Sequence, residues 1–281
     1  MMSKSSLLVT ILAAGTAVCV APSAAEESKD PAALLDRMAD AHGGAGNWLA
    51  APAIRLRLTM HLTSLQPSET RTRSDSWRYY ETVVDPDTSR AYVDIPHENQ
   101  DGFEAGFDGK KLWRTDYSFD PSFQDGALML SWYHYGMIAL PFIAKAEGAK
   151  LEYLGAEALP GHERSHDKVR IDFAPAGWSG EITLYIDQET GLLRGWDQGA
   201  MFPPLPGEPL PGVPTPPASP LRVADSYFEV GGFTLPRAYV TYNPAHEPGG
   251  YHFVLDAEVL DKFEADKAAA PAAAQISFEK S

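Results

Sequence analysis

The chain has 281 residues, 44% of them hydrophobic and 22% charged, with a formal net charge of −15. This composition supports a buried core in one large domain or two small ones and excludes a mainly disordered chain. The acidic excess repels phosphate backbones and anionic lipid headgroups, so no nucleic-acid partner is expected, and the lone Cys19 excludes a disulfide framework and a four-cysteine zinc site.

Residues 1–25 read as a secretory signal. Lys4 gives positive charge, Leu7 to Ala21 are apolar, and Ser23-Ala24-Ala25 places small residues before a cut at Glu26. The apolar stretch is short for a membrane span of about 20 residues. Val18 precedes Cys19, where lipidation would need a small residue. Export with cleavage near Ala25 is the expectation.

A helix should follow. Asp30 can cap it, Pro31 suits its first position, and Leu34, Leu35, Met38 and Ala41 share one face. His42 suits its last turn, and Gly43-Gly44 ends it. The period then changes to two. Ile54, Leu56, Leu58, Met60 and Leu62 alternate with polar residues, the mark of a strand with one buried face. Further strand-like runs follow at 71–81, 90–95, 103–107 and 111–116, the last two joined by an Asp108-Gly109 turn. Later runs lie at 150–157, 168–173, 181–187, 192–197, 221–230, 233–241 and 252–263. About eleven or twelve short strands with few helices predict a mainly β, antiparallel sheet or barrel rather than alternating strands and helices.

Between the two strand sets, Asp125 to Ala146 is apolar nearly all round, through Trp132, Ile138 and Phe142 among others. Such a helix must be covered on every side, which places it across the concave face of a sheet. Pro141 kinks or restarts it. Residues 203–220 hold nine prolines and cannot form a ladder strand. The tail from 265 to 281 is alanine-rich and offers little to bury, so it is expected to be disordered. The domain itself is expected to span residues 26–264, with 203–220 as a loop insertion.

One stretch has catalytic spelling. His162-Glu163-Arg164-Ser165-His166 is an H-E-x-x-H, which on a helix holds zinc through both histidines with the glutamate as base. Its context argues against a helix. Leu159-Pro160-Gly161 precede it, and Val169, Ile171 and Phe173 already alternate at strand spacing just after. A polar loop between strands is the preferred reading, with no metal and no cofactor expected. No nucleophile elbow, P-loop or dinucleotide motif occurs, so no catalytic residue is assigned.

Four stretches, in order, resemble the LolA/LolB-like superfamily of periplasmic lipoprotein and lipid carriers, in the manner of an uncharacterised exported member. They are Ala41-His42-Gly43-Gly44 with Trp48, Phe107-Asp108-Gly109 leading to Trp113, Leu184 to Leu193 around Asp187 and Thr190-Gly191, and Tyr227 to Pro236 around Gly231-Gly232. The resemblance implies an unclosed half-barrel with an N-terminal helix and a helical lid over its concave apolar face. It also implies reversible holding of acyl chains. No specific functional residue of that family aligns, so none is carried over.

The leading expectation is an exported periplasmic, non-catalytic, monomeric protein holding a lipid or the acyl chain of a lipoprotein. Its cavity candidates are Leu56, Leu58, Met60, Trp77, Trp113, Trp132, Ile138 and Phe142. The alternative is an envelope interaction or sensor domain with a filled core that docks a partner protein through the proline-rich loop. A zinc hydrolase built on His162, Glu163 and His166 is the third.

Overall fold

The computed structural model describes residues 29–62, 76–88, 90–95, 103–115, 138–173, 181–198, 221–243 and 245–279. The expected signal at 1–25, the proline-rich residues 203–220 and Trp132 lie outside them, as do the side chains of Met60 and Trp77.

Helix α1 (Pro31–Ala41) begins as its sequence requires, with the Asp30 carboxylate accepting from the Ala32 amide at 3.0 Å and proline in the first turn. It ends at His42, and Gly43 follows at φ 111°, a conformation that favours glycine. A short α2 (Ala45–Ala50) buries Trp48. The strands are β1 (Ala53–Leu62), β2 (Ser76–Val84), β3 (Ala91–Ile95), β4 (Phe103–Phe107) and β5 (Lys111–Arg114). Residues 138–143 are helical and are labelled α3. Then come β6 (Lys150–Ala158), β7 (Ser165–Asp172), β8 (Glu181–Asp187) and β9 (Leu193–Gln198). After these lie β10 (Leu221–Val230), β11 (Phe233–Tyr242) and β12 (Pro248–Leu260). The chain closes with α4 (Ala265–Ala268) and β13 (Gln275–Glu279).

Among the described residues all the strands join one antiparallel sheet of 13, ordered β13-β5-β4-β3-β2-β1-β12-β11-β10-β9-β8-β7-β6. The sheet does not close into a barrel; β13 and β6 are its ends. Two meanders, β1–β5 and β6–β12, meet where β1 pairs with β12. Every sequence-predicted strand is present.

Two strand turns show why the chain reverses where it does. Between β4 and β5 the Asp108 carboxylate accepts from the Lys110 and Lys111 amides at 2.8 and 2.7 Å, and Gly109 takes φ 96°. Between β8 and β9 the Asp187 carboxylate accepts from the Glu189 and Thr190 amides and the Thr190 hydroxyl at 3.0, 2.7 and 2.9 Å. In both, a short acidic side chain satisfies the backbone donors that a tight turn leaves over.

The core lies on the inner face. One cluster joins Leu56, Leu58 and Ile54 of β1 to Trp48, Ile138, Ala139, Phe142, Phe233 and Leu235. A second packs Leu34, Leu35 and Met38 of α1, with Leu140 and Ala144, onto Val169, Ile171, Leu184, Ile186 and Trp196. The covering is thus helix on sheet. At about 1.5–3 kcal/mol for each fully buried large apolar side chain, this face is the main source of stability.

The tail corrects a sequence expectation. Residues 265–279 are not disordered: α4 lies against β3 and β4, and β13 extends the sheet beyond β5. On the way, Phe263 meets Tyr92 with ring centroids 5.8 Å apart, and the Tyr92 hydroxyl donates to Glu264 at 3.4 Å. Alanine-rich composition hid this because the strap is held by a few contacts to distant strands, not by a local pattern.

Candidate functional site

Four of the proposed cavity residues come together. Leu56 and Leu58 face inward from β1, and Ile138 and Phe142 reach them from α3; all four are buried. Phe142 stacks flat on Trp48, with centroids 4.3 Å apart at 7°. Phe233 meets both rings edge-on at 5.3 and 5.7 Å. Ring pairs of this kind add about 0.5–1.5 kcal/mol beyond area burial. These three rings belong to the same buried cluster as Leu56, Leu58 and Ile138.

Trp113 does not belong there. It pairs with Gly106, Gly106 with Tyr92, Tyr92 with Val83 and Val83 with Arg55. Directly opposed residues share a face, and Arg55 alternates with Leu56, so Trp113 sits on the outer face. There its indole N–H donates to the Ala268 carbonyl at 2.6 Å, beneath the strap. Gly106 makes room for it: a Cβ at that position would stand 2.7 Å from the indole ring. Alternation within β5 alone could not reveal this, because the face depends on register carried across four strands.

Met60 lies in β1 and Trp77 in β2, so both belong to strands bordering the cluster.

The H-E-x-x-H stretch is not helical. His162, Glu163 and Arg164 belong to the connection before β7, which begins at Ser165. The rings of His162 and His166 meet edge to face at 5.7 Å, and His166 is buried with Nε2 3.8 Å from Asp187. Burial pushes the pKa of both histidines down. Glu163 is exposed. Among the described residues no three His, Cys, Asp or Glu side chains gather to hold a metal ion.

The residue that sequence reading undervalued is His42. It is the α1 cap that the sequence suggested, but it is also fully buried and bonded at both ring nitrogens. Nδ1 lies 2.5 Å from the Thr234 carbonyl, and Nε2 accepts from the Leu193 amide at 3.0 Å. The two partners fix a neutral ring with its proton on Nδ1. Burial pushes its pKa down to about 4, against a smaller opposing pull from the Thr234 bond and Glu229. The Thr234 amide in turn donates to the His42 carbonyl at 3.1 Å.

Three of the four sequence stretches singled out above meet at this ring. Arg37 of α1 donates to the carbonyls of Asp187 and Gln188 at 2.9 and 2.7 Å. Gly191 approaches α1 so closely that a Cβ would stand 3.2 Å from that of Ala41. Gly43 meets the β10–β11 turn, where a Cβ would fall 2.4 Å from the Gly232 carbonyl oxygen. The Tyr227 hydroxyl donates to the Leu193 carbonyl at 2.7 Å, and its ring lies 6.1 Å from His42. These stretches therefore encode a junction that seats α1 on the sheet. A second tie lies at the start of α1, where Lys29 (2.7 Å), Gln188 (2.7 Å) and the Tyr153 hydroxyl (3.2 Å) all donate to the buried Asp167 carboxylate.

Comparison with known proteins supports the same architecture. No family model matches the chain, and no curated protein does. Among solved structures it is similar to a LolA superfamily protein from Nitrosomonas europaea, at 10% identity and TM-score 0.50, covering 83% of this chain and 95% of the other. A DUF1329 family protein from Desulfovibrio piger matches at 10% identity and TM-score 0.44, over 86% of this chain and 98% of that one. The chain has a LolA-like fold. No helix among the described residues is long and apolar enough to cross a membrane.

Proposed function

We propose that this chain is an exported, non-catalytic periplasmic protein that holds an apolar ligand, a lipid or the acyl chain of a lipoprotein, between its inner sheet face and α3. The observation that carries this reading is the covering itself: Leu56 and Leu58 are roofed by Ile138 and Phe142 of a helix, not by a second sheet. A helix on a curved apolar sheet can lift as a unit, and an acyl chain replacing it recovers about 0.8 kcal/mol per buried CH₂. The LolA-like fold supports the reading, and no residue with a catalytic role is needed. Uptake of a fluorescent fatty acid tests it. Binding should saturate, and Leu58→Arg should weaken it at least tenfold while the far-ultraviolet spectrum is kept. Absence of any uptake by the delipidated protein would sink the idea.

A second reading has its own support. Trp48, Phe142 and Phe233 are buried and in mutual ring contact, which suits an interaction domain with a filled core. In that case the proline-rich residues 203–220 are the docking element for an envelope protein. Deleting them should abolish capture of the partner and leave thermal unfolding unchanged.

A further inference from the structure

The C-terminal strap is left unused by either reading. β12 ends at Leu260, β13 begins at Gln275, and six strand spacings separate them in the sheet. At about 4.8 Å each this is roughly 29 Å, while fifteen residue steps reach at most about 50 Å. The connection therefore takes a short route across the outer face, where Ala268 is fully buried and receives the Trp113 N–H.

After that anchor the character of the chain changes. Residues 269–274 read Ala-Ala-Pro-Ala-Ala-Ala, and Ala269, Pro271, Ala272 and Ala273 are exposed. A turn closes there through the Ala274 amide donating to the Pro271 carbonyl at 2.9 Å. β13 then pairs with β5 alone, at Gln275↔Arg114, Ile276↔Trp113, Phe278↔Leu112 and Glu279↔Lys111. It is five residues long, at the end of the sheet, on an exposed hinge of small side chains.

We propose that β5 exchanges this strand between copies: β13 of one chain pairs with β5 of a second, and the reverse, forming a two-fold dimer. The exchanged strand makes the same pairs in the same register, so only the hinge changes. Once exchanged, Ile276 and Phe278 again stand opposite Trp113 and Leu112, so no strand pairing is lost, and a proline in the hinge favours the extended form. Six extended residues reach roughly 20 Å, enough to pass to a neighbouring sheet end. Ala268 stays with its own chain, so the Trp113 N–H keeps its partner throughout. Each copy carries a net charge of −15, so repulsion opposes the dimer and added salt should favour it.

The test is pairwise disulfide trapping in a Cys19→Ser background. One chain carries Lys111→Cys and another Glu279→Cys, residues directly opposed across the two strands. A third chain carries both substitutions. The proposal expects an interchain disulfide when the two single variants are mixed at high concentration. Its yield should fall at least fivefold on tenfold dilution and rise with salt. The double variant should form the intrachain bond when dilute. If the double variant closes within the chain and the mixed variants never link, the strand is seated permanently and the proposal is overturned. It is equally overturned if neither bond forms, since β13 then does not occupy β5.

Discussion

The two wings of the sheet are held from opposite sides. From β7 to β11 the inner face is clamped by α1, through a polar junction in which His42, Arg37 and Asp187 bind backbone groups of Thr234, Leu193, Asp187 and Thr190. From β3 to β5 the clamp is the C-terminal strap on the outer face, where one indole bond and a few aromatic and cationic contacts do the work. The first is densely bonded, and Gly43 in it admits no side chain. The second rests on small residues and exposed charges. The difference separates the two wings by how they are held: the motif-rich wing is a seat for α1, and the proposed ligand site lies apart from it, on the apolar face under α3.

Substitutions can break this contrast, beginning with the largest expected effect. Gly43→Ala places a methyl group 2.4 Å from a carbonyl oxygen at a φ of 111°, so the α1 clamp cannot close as it stands. A loss of about 3–5 kcal/mol is expected from the denaturant midpoint. A loss under about 1 kcal/mol would show that the junction is loose.

His42→Gln comes next, at about 2–3 kcal/mol, because a buried amide or carbonyl loses its partner. This variant also has a pH signature. The folded-state pKa of about 4 lies below the unfolded value near 6.5, so between those values the unfolded chain binds the proton more tightly. The contribution of His42, on the order of 3 kcal/mol, is therefore present above about pH 6.5 and lost as pH falls toward 4. In His42→Gln the slope of stability against pH in that window should drop by about one proton. It should not vanish, because burial shifts His162 and His166 the same way.

On the other wing, Trp113→Phe removes the bond to Ala268 and should cost about 1–2 kcal/mol. Combined with His42→Gln, its effect should add within about 0.5 kcal/mol, as expected for separate clamps. Strong coupling would show that the wings form one unit. The smallest effect belongs to Arg57→Ala. Its ion pairs with Glu81 and Asp256 are half-exposed, and about 0.5–1 kcal/mol is expected in low salt, fading as salt is added.

The meanders were readable because alternation and turn residues are local. Asp108-Gly109 and Asp187 to Gly191 announce their own turns, and Leu56 and Leu58 announce their face. What stayed hidden is what depends on distant pairing. Gln275–Glu279 is too short and too isolated behind alanines to signal a strand, yet β5 gives it one. Trp113 looks like Leu56 in composition, but register puts it on the other side. His42 was visible as a helix cap, while its bonds to Leu193 and Thr234 join residues about 150 and 190 positions away. No local pattern records such a contact.

The central claim is that an apolar molecule occupies the space between β1 and α3. Native mass spectrometry of protein taken directly from the cell envelope, before and after delipidation, tests it most directly. The account predicts a mass excess of one acyl-bearing species that delipidation removes and added fatty acid restores. A single bare mass in every preparation, unchanged by fatty acid, would contradict it and leave the filled-core interaction domain in its place.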